Sequence, residues 1–374
     1  MVLYSFHFVC ILTCSHLVSA QNKTSPIPLG LLTDFKPHSL VEFIQASRIS
    51  KSGITGNPCR ARNVTMIMVK TAPTHFQNRK IIRKTWGREA ANNSIVTRFV
   101  IGETGNHSLD RLINEEILLH GDILLVNFID HYYNLTLKSV SILSYSAHFC
   151  PSSWTLLTDD DMIINAKALS SFIQRRQRVS PRTKSLYCRV WHGAEVRRDP
   201  ADKFYVPHEI LPPEATVYPD FCSGTGYLMP PGVSKLLHTA VMYTNPKLRF
   251  EDVFVTGLAR VKAGVGIQDE HERFFVYIDW FSIMLVRLIV IVIGQSSDLE
   301  ATWSQFIRLR DHPHMNEVMI PYLITFSPLI ILAVVCSFTF TFRRRLKQLF
   351  YFGIWVTACD RQKDYKYSRL GHMY

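Results

Sequence analysis

Trp154-Thr155-Leu156-Leu157-Thr158 is a short apolar run of buried-strand length, and it ends directly on Asp159-Asp160-Asp161, followed by Met162-Ile163-Ile164-Asn165. Three adjacent carboxylates repel one another and lose solvation when they close on a core, so the arrangement costs stability unless a cation neutralises it. At the carboxyl end of a strand the first and third residues point to one side and can share a hard divalent ion. Such an ion would bridge the phosphates of a nucleotide. Taken alone, the triplet reads equally as an exposed acidic turn.

Working outward from this strand, the chain alternates strand and helix. Val64 to Val69 is a β-rich apolar run, followed by a turn at Pro73. Asn78 to Trp86 carries Ile81, Ile82 and Trp86 on one helical face. Arg98 to Gly102 reads as a strand, Leu109 to Leu119 as a helix, Asp122 to Val126 as a strand and Leu135 to Phe149 as a helix. This spacing predicts right-handed crossovers and an α/β domain with a mostly parallel sheet, binding its ligand at the carboxyl ends of the strands. Two later segments carry candidate chemistry. Tyr218 to Tyr227 sets Gly224 and Gly226 between aromatics, which is either a tight turn or a place where backbone approaches a ligand. Phe250-Glu251-Asp252-Val253-Phe254 offers a carboxylate to accept a proton, or an acidic helix start favoured by the dipole.

The net charge of +12 is unevenly spread. Residues 343–374 hold eight Lys/Arg against two Asp and so supply half the excess, directly after the uncharged stretch Val318 to Phe342. That placement marks the cytosolic flank of a transmembrane helix rather than a nucleic-acid footprint. The first twenty residues are apolar and end in Val18-Ser19-Ala20, as in a signal peptide or an amino-terminal anchor. The organisation expected is therefore 1–20 leader, 21–60 stem, 61–310 lumenal domain, 318–342 membrane span and 343–374 basic tail. Sequons at Asn22, Asn63, Asn92, Asn106 and Asn134 agree with a lumenal location. So do Cys59, Cys150, Cys188 and Cys222, whose even number suggests two disulfides with three possible pairings.

Together these blocks resemble the β-1,3-galactosyltransferase family, which includes related β-1,3-N-acetylglucosaminyltransferases. The matching residues are Val69-Lys70-Thr71-Ala72-Pro73, Arg79 to Gly87, Gly121 to Leu124, Phe128 to Lys138, the Asp159–Asp161 triplet, Tyr218-Pro219, Cys222 to Tyr227 and Glu251-Asp252-Val253. They keep the family's order over about residues 63 to 265. The resemblance implies a GT-A glycosyltransferase fold, a UDP-sugar donor, Mn²⁺, and inversion at the anomeric carbon. By position Asp159 and Asp161 would bind the metal, Asp252 would be the general base and Glu251 would help hold the acceptor. Arg79, Arg83, Asp130, Lys138 and Asp160 would line the nucleotide side. The partners implied are a UDP-sugar, a glycan acceptor and the Golgi membrane, with no nucleic acid. In two respects the chain departs from the family pattern. Its strongest apolar span is carboxy-terminal, and Arg287 to Gly294, where relatives often supply a metal-binding His, has none; His271 is the substitute in sequence. The second departure keeps an alternative in view, a tethered pseudoenzyme that binds glycans or a partner without transfer.

Overall fold

The computed structural model describes residues 38–47, 59, 64–180, 183–275, 290–292 and 298–311. The leader, the expected span at 318–342 and the basic tail lie outside them; among the described residues no helix is long and apolar enough to cross a membrane. The chain divides into two compact units, residues 1–304 and 305–374. Of the second, residues 305–311 are described and are helical.

The first unit is built on a seven-stranded mixed sheet in the order β3-β2-β1-β4-β7-β6-β8. The strands are β1 (Thr65–Lys70), β2 (Ile95–Glu103), β3 (Ile123–Ile129), β4 (Trp154–Asp159), β6 (Ser185–Trp191), β7 (Phe221–Met229) and β8 (Gly266–Asp269). The four strands read from sequence pair in parallel, as their helical crossovers require. β6 and β8 also pair in parallel and run with β4, so six of the seven strands share one direction, as a mostly parallel sheet requires, and β7 alone is reversed. β7 runs antiparallel to both β4 and β6, because it arrives from a loop of irregular chain rather than from a crossover helix. A smaller sheet joins β5 (Met162–Ile164) to β9 (Phe274–Phe275) through β10 (Val290–Val292).

Helices cover the sheet. They are α1 (Leu40–Ser47), α2 (Phe76–Lys84), α3 (Trp86–Asn92), α4 (His107–His120), α5 (Leu135–Phe149), α6 (Ala166–Val179) and α7 (Val233–Tyr243). The helix read as Asn78 to Trp86 is in fact two, broken at Thr85, whose hydroxyl turns back onto the Ile81 carbonyl at 2.7 Å. α5 is buried on nearly every side and carries four serines. Ser141, for example, donates to the carbonyls of Ala46 and Leu137, letting α1 lie close against it. α1 itself falls within the stretch read as stem, yet Phe43 and Ala46 are fully buried, so this short apolar segment belongs to the core. Disulfides join Cys59 to Cys150 and Cys188 to Cys222, which selects one of the three pairings.

Candidate active site

The parallel register sets Lys70, the last residue of β1, directly beside Asp159, the last residue of β4. Lys70 is 4% exposed. Its ammonium donates to Glu251 Oε2 at 3.0 Å and to the Gly224 carbonyl at 3.2 Å, and lies 3.2 Å from Asp159 Oδ1. Burial works to lower its pKa, but Asp159 and Glu251 outweigh burial and hold it above the usual lysine range. One buried cation therefore ties the acidic triplet to the Glu251-Asp252 pair, which lies 92 residues on from Asp159 in sequence.

The pair sits where a π-helical segment, Asp252–Ala259, begins and runs on into the short helical turn Arg260–Lys262. Such wide turns are rare and recur at functional sites. Glu251 is buried and accepts a 2.7 Å hydrogen bond from the Tyr227 hydroxyl besides that from Lys70. Asp252 keeps one carboxylate oxygen on its neighbour's amide, Val253 N–H, at 2.8 Å. Burial first, and then the Glu251 charge, push the Asp252 pKa up to about 6. Asp159 is pushed up to about 6 as well, by burial and by Asp161 and Glu251 against the pull of Lys70. A Cβ added at Gly224 would stand 3.6 Å from both Asp252 Oδ2 and Glu251 Oε2, so the glycine-rich strand leaves the mouth of this cluster open.

The triplet separates in the turn beyond β4, whose last residue is Asp159. Asp160 is buried and turned the other way, accepting from the Thr71 hydroxyl and lying 2.8 Å from His75 Nδ1. It fastens the loop after β1. Asp161 is exposed as a residue, and partial desolvation of its carboxyl first, then the Asp160 charge, raises its pKa. Lys138 and Asp130 form a floor beneath the loop: Lys138 Nζ lies 2.8 Å from Asp130 Oδ2 and donates to the Thr71 carbonyl at 2.7 Å. Asp130 also accepts from Gly102 N–H at 2.8 Å, an approach open only to glycine, since a Cβ there would meet the Phe128 carbonyl at 2.7 Å.

Arg79 and Arg83, read from the resemblance as lining the nucleotide side, are both engaged within the protein. Arg79 is fully buried, and all five of its N–H donors are used within the protein, on Glu116, Thr71 and the carbonyls of Ala72 and Pro73. Arg83 grips Asp122 through two bonds of 2.8 Å and Glu116 through one of 2.6 Å. Both tie α2 to α4 through Glu116, and Arg83 also reaches Asp122 just ahead of β3; acidic partners on a distant stretch of chain are not visible in the local pattern. A cavity of about 580 Å³ opens beside them, lined by Ile82, Arg83, Phe99 and Asp122 at the amino-terminal half of β2, away from the acidic cluster. His271 bonds Asp269 at 2.9 Å and is exposed at the end of edge strand β8. Three residues not singled out by sequence belong to the site: Lys70, Tyr227 and Tyr132. A lysine closing an otherwise apolar buried strand was the available signal for the first. Tyr132 is 63% exposed as a residue, and its phenol is held above the usual range by desolvation of the hydroxyl and by the charges of Asp252 and Asp159.

Fold and site define an α/β protein with paired acidic groups gathered at the carboxyl edge of its sheet around one buried lysine. The sequence profile of the galactosyltransferase family matches residues 77–271, just over half of the chain, and the chain belongs to that family. β-1,3-Galactosyltransferase 1 of Mus musculus is 33% identical over 216 residues, spanning 56% of this chain and 64% of that protein. Lactosylceramide 1,3-N-acetyl-β-D-glucosaminyltransferase of Homo sapiens is 33% identical over 221 residues, spanning 56% and 57%. The chain thus covers less than two thirds of the length of these relatives. A crystal structure of the galactosyltransferase LgtC shares 12% identity over 66% of this chain and 95% of its own, at a TM-score of 0.34, too loose a likeness to carry an argument.

Proposed function

We propose that the chain is an inverting β-1,3-hexosyltransferase of GT-A type, moving galactose or N-acetylglucosamine from a UDP-sugar to a glycan hydroxyl in the Golgi lumen, anchored in the membrane. The observation that carries this reading is Asp252. It is a carboxylate with its pKa near 6 and one oxygen fixed on a backbone amide, beside the open strand at Gly224 and tied through Glu251 and Lys70 to the acidic triplet. Above pH 6 it is ionised yet basic enough to take the proton of an attacking hydroxyl. Glu251, held by Tyr227 and Lys70, is fixed to orient that hydroxyl. A base so intact favours transfer over a binding-only protein.

Asp159 and Asp161 fit a hard divalent cation such as Mn²⁺. Their pKa values are raised by burial first and also by a neighbouring carboxylate, Asp161 and Glu251 for Asp159 and Asp160 for Asp161, and a bound cation would offset both effects. Among the described residues no three His, Cys, Asp or Glu side chains are grouped to hold a metal unaided. An ion held by one or two carboxylates together with substrate phosphates needs no third protein ligand. Bound there, it would offset the charge on the departing diphosphate. Thermal unfolding tests the donor half of the reading. UDP with Mn²⁺ at a hundred times the dissociation constant stabilises by about 2.7 kcal/mol, which raises Tm by several degrees. UDP alone, or both ligands with Asp161→Asn, leaves Tm unmoved; an equal shift in that variant would contradict the metal assignment.

A further inference from the structure

Trp191 closes β6, and its surroundings are those of a sugar-binding platform. β6 and β4 are both antiparallel to β7, so they run the same way and Trp191 emerges at the sheet edge that carries Asp159. In register it lies opposite Phe221, and residues directly opposite on neighbouring strands share a face of the sheet. Phe221 packs under the segment begun by Asp252: a Cβ on Gly257 would stand 3.3 Å from the Phe221 Cβ. The spacing is fixed, because Cys222 N–H donates to the Thr256 hydroxyl at 2.8 Å and that hydroxyl donates to the Asp252 carbonyl. Trp191 therefore shares the face that carries the candidate base, one strand outside Phe221.

Trp191 is 43% exposed, leaving apolar surface of a large aromatic residue open to solvent. The Arg189 guanidinium lies 5.3 Å from the ring centroid, where it steadies the indole. The exposed pair His192 and Asp220, bonded at 2.9 Å, borders it with hydrogen-bonding groups. An apolar ring face with a polar rim matches a pyranose, which presents C–H groups on its faces and hydroxyls at its edge. Two strand spacings, about 10 Å, separate β6 from β4, and Trp191 pairs four residues further along β7 than Asp159, about 13 Å more in that direction. That exceeds the reach of the sugar unit at the bond-forming hydroxyl and suits the units that follow it.

Resting on the proposed transfer activity, we infer that Trp191, with Arg189 and the His192–Asp220 pair, forms an outer acceptor subsite that stacks a second or third glycosyl unit, so that the acceptor is an oligosaccharide chain. The test uses full-length protein in detergent, with mono- and trisaccharide glycosides sharing one terminal sugar. The trisaccharide is the better acceptor, and the ratio of the two kcat/KM values falls about tenfold in Trp191→Ala, the loss of one stacked aromatic contact. Trp191→Phe, which keeps a ring, gives an intermediate ratio, while donor KM and Tm stay those of the unaltered protein. An unchanged ratio in Trp191→Ala would overturn the subsite. If the unaltered protein forms no product with any glycoside, the transfer reading fails instead. Binding measured by ligand-observed NMR then decides the subsite: weaker trisaccharide binding in Trp191→Ala supports it, and equal binding in both proteins refutes it.

Discussion

Replacing Asp252 by Asn should stabilise the protein while abolishing its proposed activity. The isosteric amide keeps the oxygen that accepts from Val253 N–H and removes only the charge. The Asp252 pKa stands at about 6 against an ordinary 3.8, and a carboxylate raised by about 2 costs about 3 kcal/mol in its ionised form. Because the residue keeps partial contact with solvent, a gain of about 1–3 kcal/mol is the working figure. The sign follows from linkage. A carboxyl with a raised folded pKa destabilises fully above pH 6, less between 6 and 3.8, and not at all below 3.8. Thermal unfolding of both proteins at pH 7.5 and 4 reads this directly. Asp252→Asn should unfold several degrees higher at pH 7.5, at about 2–4 °C per kcal/mol for a unit of this size, and the two curves should converge at pH 4. The same titration should make kcat/KM fall below pH 6, about tenfold for each further pH unit. A variant no more stable at pH 7.5, or one that still transfers sugar, would refute the reasoning.

Three further substitutions separate the chemistry from its scaffold. Lys70→Met leaves Asp159 and Glu251 without their buried cation, so a loss of about 3–5 kcal/mol is expected in denaturant titration, along with activity. Arg79→Ala strips a fully buried guanidinium from Glu116 and should cost about 3 kcal/mol, yet UDP affinity measured calorimetrically on the folded fraction should hold; a selective loss of UDP binding would restore the nucleotide role. Replacing Cys188 and Cys222 by Ala opens a loop of 34 residues and should cost about 3–4 kcal/mol, read as a shift in the urea midpoint with little change in donor KM.

Where the sequence could be read, periodicity and chain direction did the work. β1 to β4 alternate with helices, their apolar runs are continuous because both faces are covered, and Trp154 to Thr158 led straight to the acidic edge. α5 was bounded correctly at Leu135 and Phe149 because its flanking turns are polar. What sequence did not reveal was long-range pairing. Arg79 and Arg83 carry the same basic helical pattern whether they face a phosphate or, as here, Glu116 and Asp122. Asp160 differs from its neighbours only through Thr71 and His75, which lie 89 and 85 residues away in the chain. The reversal at β7 was hidden for a related reason, since no helix announces a connection made by irregular chain. Lys70 shows the converse: one lysine at the end of a buried strand joins two motifs that looked independent.

The central claim is transfer by Asp252 from a metal-bound nucleotide sugar, and the most direct test is product formation. The purified full-length protein in detergent is offered UDP-galactose or UDP-N-acetylglucosamine with Mn²⁺ and a panel of glycosides, beside Asp252→Asn. The account predicts a β-1,3-linked product from one donor, lost on chelation of the metal and absent with the variant. Product of equal yield from Asp252→Asn, or transfer undiminished by chelation, would contradict it.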